Sequence, residues 1–305
     1  MIVAAGLTPA WQQILRFDHF QLGEVNRAAE ALWCGSGKVL NVGMALATLS
    51  VPSETISPLG GLAREPIERE FAAAGAKCRW IRTAGATRVC TTILDSHGGT
   101  TTELVENAAA LSADELRQFA DAYRRAVAGA DAVVLTGSLT AGTPTTFYRD
   151  LLAVRSLPTV LDARGPELLA ALDGRPLVVK PNREELGRTL GIELTTDRDV
   201  ADAIARLHAL GAQWVVMTQG RGAVWVASPQ AIERLEPPAV ERVVNPIGCG
   251  DCLAAGIAWG VADGCSVPDA VARGMAAAAQ NLGQLLPSRL DRAGVLQQAQ
   301  QICAQ

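Results

Sequence analysis

Along the second half of the chain, short apolar runs alternate with longer stretches of helical periodicity. Ala132-Val133-Val134-Leu135 leads into Thr136-Gly137-Ser138, and Thr159-Val160-Leu161 into Asp162. Leu177-Val178-Val179 leads into Lys180-Pro181-Asn182, and Trp214-Val215-Val216-Met217 into Thr218-Gln219-Gly220. Each run is short, rich in β-branched residues and closed by polar residues or glycine, as a parallel strand buried on both faces should be. Between them, Ser112-Ala113-Asp114-Glu115 has the spacing of a capping box and predicts a helix to about Val127. Thr196 is placed to cap a helix to about Leu210, with Gly211 as its stop. Strands alternating with helices need crossover connections, so an α/β fold with a doubly wound, mostly parallel sheet flanked by helices is expected. Ligands bind such sheets beyond the carboxyl ends of the strands, where the polar residues named above fall.

The first hundred residues are patterned differently. Segments 11–33 and 88–105 read as irregular, partly alternating strands. Gln21-Leu22-Gly23-Glu24 and Ser96-His97-Gly98-Gly99 supply turns, the second a hairpin. They predict a small β-sheet lid, formed by about 8–33 and 86–107, within a single domain spanning 1–305. There is no internal repeat and no low-complexity linker.

Composition narrows the function classes. Hydrophobic residues make up 49% and charged residues 19%, which excludes a disordered chain and allows a large core. Aromatics are 4%, so Ala, Val and Leu must fill it. Lys plus Arg number 27 against 31 Asp plus Glu, a net charge of −4, so a basic nucleic-acid surface is not expected. No apolar run is long enough for a membrane helix, and Met1-Ile2-Val3-Ala4-Ala5-Gly6 lacks the basic segment of a signal peptide. The seven cysteines are odd in number and irregularly spaced, which favours reduced thiols in a cytoplasmic protein over a secreted disulfide framework. The three histidines, His19, His97 and His208, are isolated in sequence, so a zinc site is not expected.

The most informative segment is Asn245-Pro246-Ile247-Gly248-Cys249-Gly250-Asp251-Cys252, a Gly-rich turn running into an apolar helix. The first turn of a helix presents unpaired N–H groups and a partial positive charge. Gly248 and Gly250 would let the backbone approach a phosphate, with Asp251 beside the bound anion. Phosphoryl transfer to a hydroxyl needs a proton acceptor and N–H groups to hold the moving charge, and this octapeptide offers both. The same pattern also suits an Asp that merely caps a helix. Other nucleotide motifs do not fit. Gly35-Ser36-Gly37-Lys38 is followed by Val39 where a phosphate-binding loop needs Ser or Thr. No Gly-x-Gly-x-x-Gly follows the first strand, which weakens a dehydrogenase reading, and there is no Gly-x-Ser-x-Gly elbow. Cys249 and Cys252 form a Cys-x-x-Cys at a helix start, where two small residues tolerated in a packed turn are the favoured reading and a redox switch, oxidation distorting the turn and stopping activity, is the sharper alternative.

Segment 245–257 resembles the second signature of the ribokinase-like carbohydrate kinases, the phosphofructokinase-B family. Leu22-Gly23-Glu24-Val25-Asn26-Arg27-Ala28 and Gly35-Ser36-Gly37-Lys38-Val39-Leu40-Asn41-Val42 are similar to segments of its fructose-1-phosphate and tagatose-6-phosphate kinase branch. Thr87-Arg88, Thr136-Gly137-Ser138-Leu139, Lys180-Pro181-Asn182-Arg183-Glu184-Glu185-Leu186 and Thr218-Gln219-Gly220-Arg221-Gly222-Ala223 follow in the family's order.

The resemblance implies a ribokinase-like fold and transfer of the ATP γ-phosphoryl to a hydroxyl of a ketohexose phosphate. Fructose 1-phosphate is the first candidate, with tagatose 6-phosphate or fructose 6-phosphate next. It implies that Asp251 is the catalytic base and that Gly248, Cys249 and Gly250 form the anion hole. Asn182 and Glu185 would organise Mg²⁺ through water together with the ATP phosphates. Thr218, Gly220 and Gly222 would form the nucleotide loop, and Asn281 would line the adenine pocket. Lys38, Arg88 and Ser138 would hold the phosphate already on the substrate, and Asn41 would contact a sugar hydroxyl. A homodimer through the lid is the family's habit.

The departures fall mostly on the acceptor side. The branch has Asn-Pro-Ala-x-Asp near its start, whereas this chain has Thr8-Pro9-Ala10-Trp11-Gln12, so Gln12 stands for a sugar-binding carboxylate with a large ring beside it. Ser36 and Val39 replace glycines, Cys90 replaces a common Asn, and Pro246 and Cys249 replace Thr and Ala. This is an intact phosphoryl-transfer core with an altered acceptor pocket. Two further readings stand beside it: a kinase of an unphosphorylated sugar or nucleoside, and a non-catalytic sugar-phosphate sensor on the kinase fold.

Overall fold

The computed structural model describes residues 1–304. In chain order the first strands and helices are β1 (Ile2–Ala5), β2 (Ala10–Phe17), β3 (Glu30–Ser36), α1 (Lys38–Thr48), β4 (Ser53–Leu59), α2 (Arg64–Ala73) and β5 (Cys78–Arg82). The chain continues through β6 (Arg88–Asp95), β7 (Thr100–Val105), α3 (Ala113–Val127), β8 (Ala132–Thr136), α4 (Phe147–Leu152), β9 (Thr159–Asp162), α5 (Gly165–Ala171), β10 (Val178–Val179) and α6 (Arg183–Leu190). It ends with α7 (Asp197–Leu210), β11 (Trp214–Gln219), β12 (Gly222–Ala227), β13 (Ile232–Leu235), α8 (Cys249–Ala262), α9 (Val267–Leu282) and α10 (Arg292–Cys303).

The expected mixed α/β architecture is present. A 9-stranded sheet runs in the order β13-β12-β11-β10-β9-β8-β1-β4-β5. The strands from β11 to β5 are parallel, and β12 and β13 add antiparallel at one edge. Strand alternation splits the core into two layers. Ile2 and Ala4 of β1, with Ala132 and Val134 of β8, face α1, α8, α9 and α10. Val3, Ala5, Val133 and Leu135 face α3, α4, α5 and α7. The strand order reverses between β1 and β8, which opens a crevice at their carboxyl ends.

The local signals act as expected. Ser112 and Glu115 close a capping box on α3, and Thr196 and Asp199 close one on α7, with Gly211 as its C-cap. Segment 96–99 joins β6 to β7. These two strands with β2 and β3 make a separate 4-stranded sheet, ordered β3-β2-β6-β7. Its inner face packs Ile14, Cys34 and Leu94 against Leu285 and Leu286, just after α9.

Residues 251–260 of α8 are all buried, so this helix is apolar all round rather than amphipathic. It lies so close to α9 that a Cβ on Gly256 would sit 2.5 Å from the Cα of Gly274. That seam sets where the first turn of α8 stands relative to the last turn of α9. Gly256→Ala is therefore expected to force the two helices apart and to cost about 1–3 kcal/mol. Thermal unfolding should show Tm lower by several degrees; an unchanged Tm would mean the seam tolerates a methyl group.

Candidate active site

The turn before α8 is built by two buried amides. Asn245 Nδ2 donates to the Leu285 carbonyl at 2.8 Å, while its Oδ1 accepts the Ile247 N–H at 3.0 Å. Asn281, at the end of α9, donates Nδ2 to the Ile247 carbonyl at 2.9 Å and accepts the Ser288 N–H at 2.6 Å. Gly248 follows at the N-cap with φ 85, a left-handed conformation that favours glycine. Among the described residues the Gly250 N–H has no backbone acceptor. A Cβ on Gly250 would stand 3.5 Å from Lys180 Nζ. A free N–H and an ammonium thus share one locus at a helix N-terminus, the local arrangement that holds an anion.

Asp251 lies in that first turn, yet no side chain caps α8. Its Oδ2 instead accepts a hydrogen bond of 2.7 Å from Asn41 Nδ2. The carboxylate therefore faces across the crevice, toward α1, and the reading of Asp251 as a helix cap fails on geometry. Asp251 is 7% exposed. Burial first, and then the Asp162 charge, push its pKa up to about 7, against the pull of Lys38, the Asn41 bond and Lys180.

A cluster of charges surrounds it. Lys38 Nζ lies 2.8 Å from Asp162 Oδ1 and 3.5 Å from Glu185 Oε1. Lys180 Nζ lies 3.3 Å from Asp162 Oδ2, and both of these residues are buried. Burial disfavours the Asp162 charge, but Lys180 and Lys38 outweigh it and hold the carboxyl below its ordinary range. Burial likewise opposes the charge on Lys38; Asp162, Glu185 and Asp251 overcome it and raise the ammonium above its ordinary value. Asp162 and Lys180 had no assigned role from sequence. The signal was there: each is a polar residue closing a buried strand.

On the far side of Asp162, Asn182 and Glu185 cap α6 reciprocally. Asn182 Oδ1 accepts the Glu185 N–H at 2.7 Å, and Glu185 Oε2 accepts the Asn182 N–H at 3.0 Å. Glu185 Oε1 remains turned toward Lys38. Thr218 bridges to Asn182 in parallel, and Gly220, with φ 66, makes the turn to β12, which begins at Gly222. This group lies beyond the carboxyl ends of β10 and β11. Among the described residues no group of three or more Asp, Glu, His or Cys could enclose a metal ion by itself. Glu185, whose Oε1 is not used by the cap, fits a Mg²⁺ that arrives with phosphates and is held through water, whereas both oxygens of the buried Asp162 are already paired with lysines.

The other expected residues have these surroundings. Asn281 is fully buried beneath the anion turn, where it braces Ile247 and Ser288 rather than lining an open adenine pocket. Lys38 and Arg88 flank the same segment: a Cβ on Gly137 would lie within 4.0 Å of both Thr8 Oγ1 and Lys38 Cβ, and Arg88 reaches the Thr8 carbonyl. Arg88 donates Nε to the Pro9 carbonyl at 3.3 Å, Nη1 to the Glu106 carbonyl and Nη2 to the Thr8 carbonyl, both at 3.2 Å. Ser138 sits at the crevice end of β8, next to Gly137, whose Cβ would meet Thr8 Oγ1 at 2.9 Å. Gln12 is buried in the small sheet and donates Nε2 to Thr92 Oγ1 at 2.7 Å. Trp11 does not flank Gln12. It points to the opposite face of the sheet and stacks on Trp33 with ring centroids 5.7 Å apart. Val39 packs in the core beside α2, with Ile67 and Phe71, and is not an acceptor-pocket residue.

The Cys-x-x-Cys has no thiolate character. Burial pushes the Cys249 thiol up to about 11 and raises Cys252 as well. Cys249 Sγ accepts from Asn281 Nδ2 at 3.2 Å, and Cys252 Sγ lies 3.4 Å from Ser288 Oγ. Both thiols are packing groups within the turn, which removes the basis for a redox switch there.

Known proteins share this fold. Phosphofructokinase-2 of Escherichia coli, solved in complex with substrates and products, superposes with a TM-score of 0.88 at 24% identity, over 98% of this chain and 99% of that one. A "possible 1-phosphofructokinase" of Thermotoga maritima gives 0.88 at 21% identity, over 98% of each chain. Arabidopsis thaliana ribokinase, complexed with ribose and ATP, gives 0.77 at 20% identity, over 98% of each. The large parallel sheet, the smaller sheet and the helix-capped crevice are therefore a ribokinase-like fold. The sequence model of the pfkB family of carbohydrate kinases matches residues 10–289, so the chain belongs to that family and is a phosphotransferase with a hydroxyl acceptor.

Proposed function

We propose that this protein is an ATP- and Mg²⁺-dependent kinase of a ketohexose phosphate, with fructose 1-phosphate as the first candidate and tagatose 6-phosphate or fructose 6-phosphate next. The observation that carries the reading is Asp251. It is buried, released from capping its own helix, poised near neutral pKa, and set between a free N–H and two ammonium groups. The acceptor enters from the β1, β8 and small-sheet side, and the triphosphate from the β10 and β11 side. Asp251 takes the proton of the acceptor hydroxyl as its oxygen forms the new bond to the γ-phosphorus; the bond from that phosphorus to the bridging oxygen breaks, and ADP leaves. Gly250 N–H, Lys180 and Lys38 hold charge on the moving group. Mg²⁺, when bound with the nucleotide, would neutralise phosphate charge, and Glu185 is the carboxylate that would hold it through water. Free thiols throughout the described chain suit a cytoplasmic setting.

A second reading, an unphosphorylated sugar or nucleoside as acceptor, is favoured by one observation. Lys38 is paired with Asp162 and Glu185, and three of the five Arg88 N–H groups are given to main-chain carbonyls, so fewer donors are left to a substrate phosphate. An ADP-release screen over sugars and sugar phosphates separates the two. With a sugar phosphate as acceptor, Arg88→Ala should raise KM roughly 10- to 100-fold, the usual worth of charge-assisted hydrogen bonds. An unmoved KM supports the unphosphorylated acceptor.

For the base, Asp251→Asn should lower kcat by at least about 100-fold while leaving the fold intact. Because the carboxylate must be ionised to accept a proton, kcat/KM of the wild type should rise with pH through about 7 rather than through the ordinary carboxylate range. Near-wild-type turnover of the variant, or an acid limb near pH 4, would reject Asp251 as the base.

The family's dimer through the lid has support in the exposed apolar side chains Trp33 and Leu104, which share one face of the small sheet. We propose a homodimer with a second copy covering them. Sedimentation should give twice the 31.9 kDa chain mass, and Trp33→Glu should return the monomer; a monomeric wild type at micromolar concentration would exclude it.

A further inference from the structure

Asn41 does not act alone on Asp251. Ser36, the last residue of β3, donates its hydroxyl to Asn41 Oδ1 at 3.1 Å, and Asn41 Nδ2 in turn donates to Asp251 Oδ2 at 2.7 Å. All three side chains are buried. The chain of bonds starts on the small sheet, where Ser36 pairs with Ala10 of β2, and ends in the first turn of α8. Gly37, with φ 83, turns the backbone between Ser36 and α1, and the Asn41 N–H closes on its carbonyl at 3.0 Å. The Asn41 side chain is thereby held between sheet and helix.

An amide has an acceptor end and a donor end of nearly the same shape, and only its partners decide which way it faces. The Ser36 hydroxyl gives the Oδ1 end a donor, which keeps the NH₂ end toward the carboxylate. We infer that Ser36 is a positioning residue for the base: through Asn41 it stabilises the ionised form of Asp251 and aims its oxygen into the crevice. This rests on Asp251 being the base.

Other groups act on the same carboxylate. Lys38 faces it from α1, Asp162 from the end of β9 and Lys180 from beyond β10, with Glu185 of α6 behind Lys38. On its own helix, Cys249 and Cys252 stay neutral thiols. None of these touches Ser36 by a hydrogen bond, so removing its hydroxyl leaves the charge cluster in place and changes only the hold on Asn41.

The test compares Ser36→Ala, Ser36→Thr and Asp251→Asn with the wild type. Loss of the hydroxyl should move the acid limb of kcat/KM upward by roughly half to one pH unit, which is about a three- to tenfold loss at pH 6.5, with the alkaline plateau and the KM values kept. Ser36→Thr, which retains a hydroxyl, should restore the limb. A ¹³C titration of the Asp251 carboxyl, assigned by difference against Asp251→Asn, should show the same upward shift without any turnover. An unmoved limb and an unmoved titration in Ser36→Ala overturn the relay, as does a loss that is equal at every pH. If Asp251→Asn keeps its turnover, the base assignment fails instead, while the carboxyl titration still decides whether Ser36 acts on Asp251.

Discussion

Two lysine ammonium groups share one buried carboxylate, and the site is arranged around that sharing. Asp162 sits at the end of β9, Lys180 just beyond β10, and Lys38 at the start of α1, so the ion pairs tie the middle of the large sheet to the helix that follows the small one. Removing a buried ion from water costs several kcal/mol, and an unpaired one cannot be tolerated. Taking away Asp162 would leave two buried ammonium groups without a partner; taking away either lysine would leave Asp162 half-satisfied. Lys38 and Lys180 balance Asp162 and Glu185, and the charge left to vary near neutral pH is that of Asp251. The ion pairs are thus formed within the protein itself, and Asp251 is the group they leave undecided near neutral pH.

That electrostatic arrangement depends on a packing constraint remote from it. α8 and α9 run so close that glycines at 256 and 274 have no substitute of the same shape. Their approach brings Asn281 beneath Ile247 and Gly248, and Asn281 with Asn245 holds the turn open at Gly250. The anion locus is therefore not a flexible loop waiting for a ligand. It is a helix start braced by two buried amides, and its thiols, packed into the same brace, are neutral for the same reason that Asp251 is hard to ionise.

What could be read from sequence was what local rules encode. The strand runs ending in Thr136, Asp162, Lys180 and Thr218 line up at one edge of the sheet, because a buried strand must end where polarity returns. The boxes at Ser112 and Thr196 formed as their spacing required. The failures share a different cause. Trp11 and Gln12 are neighbours in sequence, but a pleated strand sends them to opposite faces, so the ring does not stand beside Gln12 and instead stacks on Trp33 and packs toward the α1 and α2 cluster. Val39 and Lys38 are adjacent too, and a helix turns one into the core and the other into the crevice. Asp162 is legible as the polar end of a buried strand, but its part in the charge cluster arises only where two lysines from distant segments meet it.

Asn182 and Glu185 show why a structural and a chemical reading of one motif need not compete. An Asn and a Glu three residues apart before an apolar position form a capping box, and here they do so, each satisfying the main-chain N–H of the other. A capping box uses one oxygen of the acid. Glu185 gives Oε2 to the cap and leaves Oε1 toward Lys38, held at the mouth of the nucleotide side by the very bonds that start the helix. The cap is what makes the carboxylate rigid, and rigidity is what the proposed role of Glu185 toward phosphates and Mg²⁺ would require. At Asp251 the same economy runs in reverse. There the cap is given to Gly248, whose left-handed backbone needs no side chain, and the carboxylate is freed to face Asn41. Whether an acid at a helix start is structure or chemistry is thus decided by which oxygen remains once the N–H groups of the turn have been served.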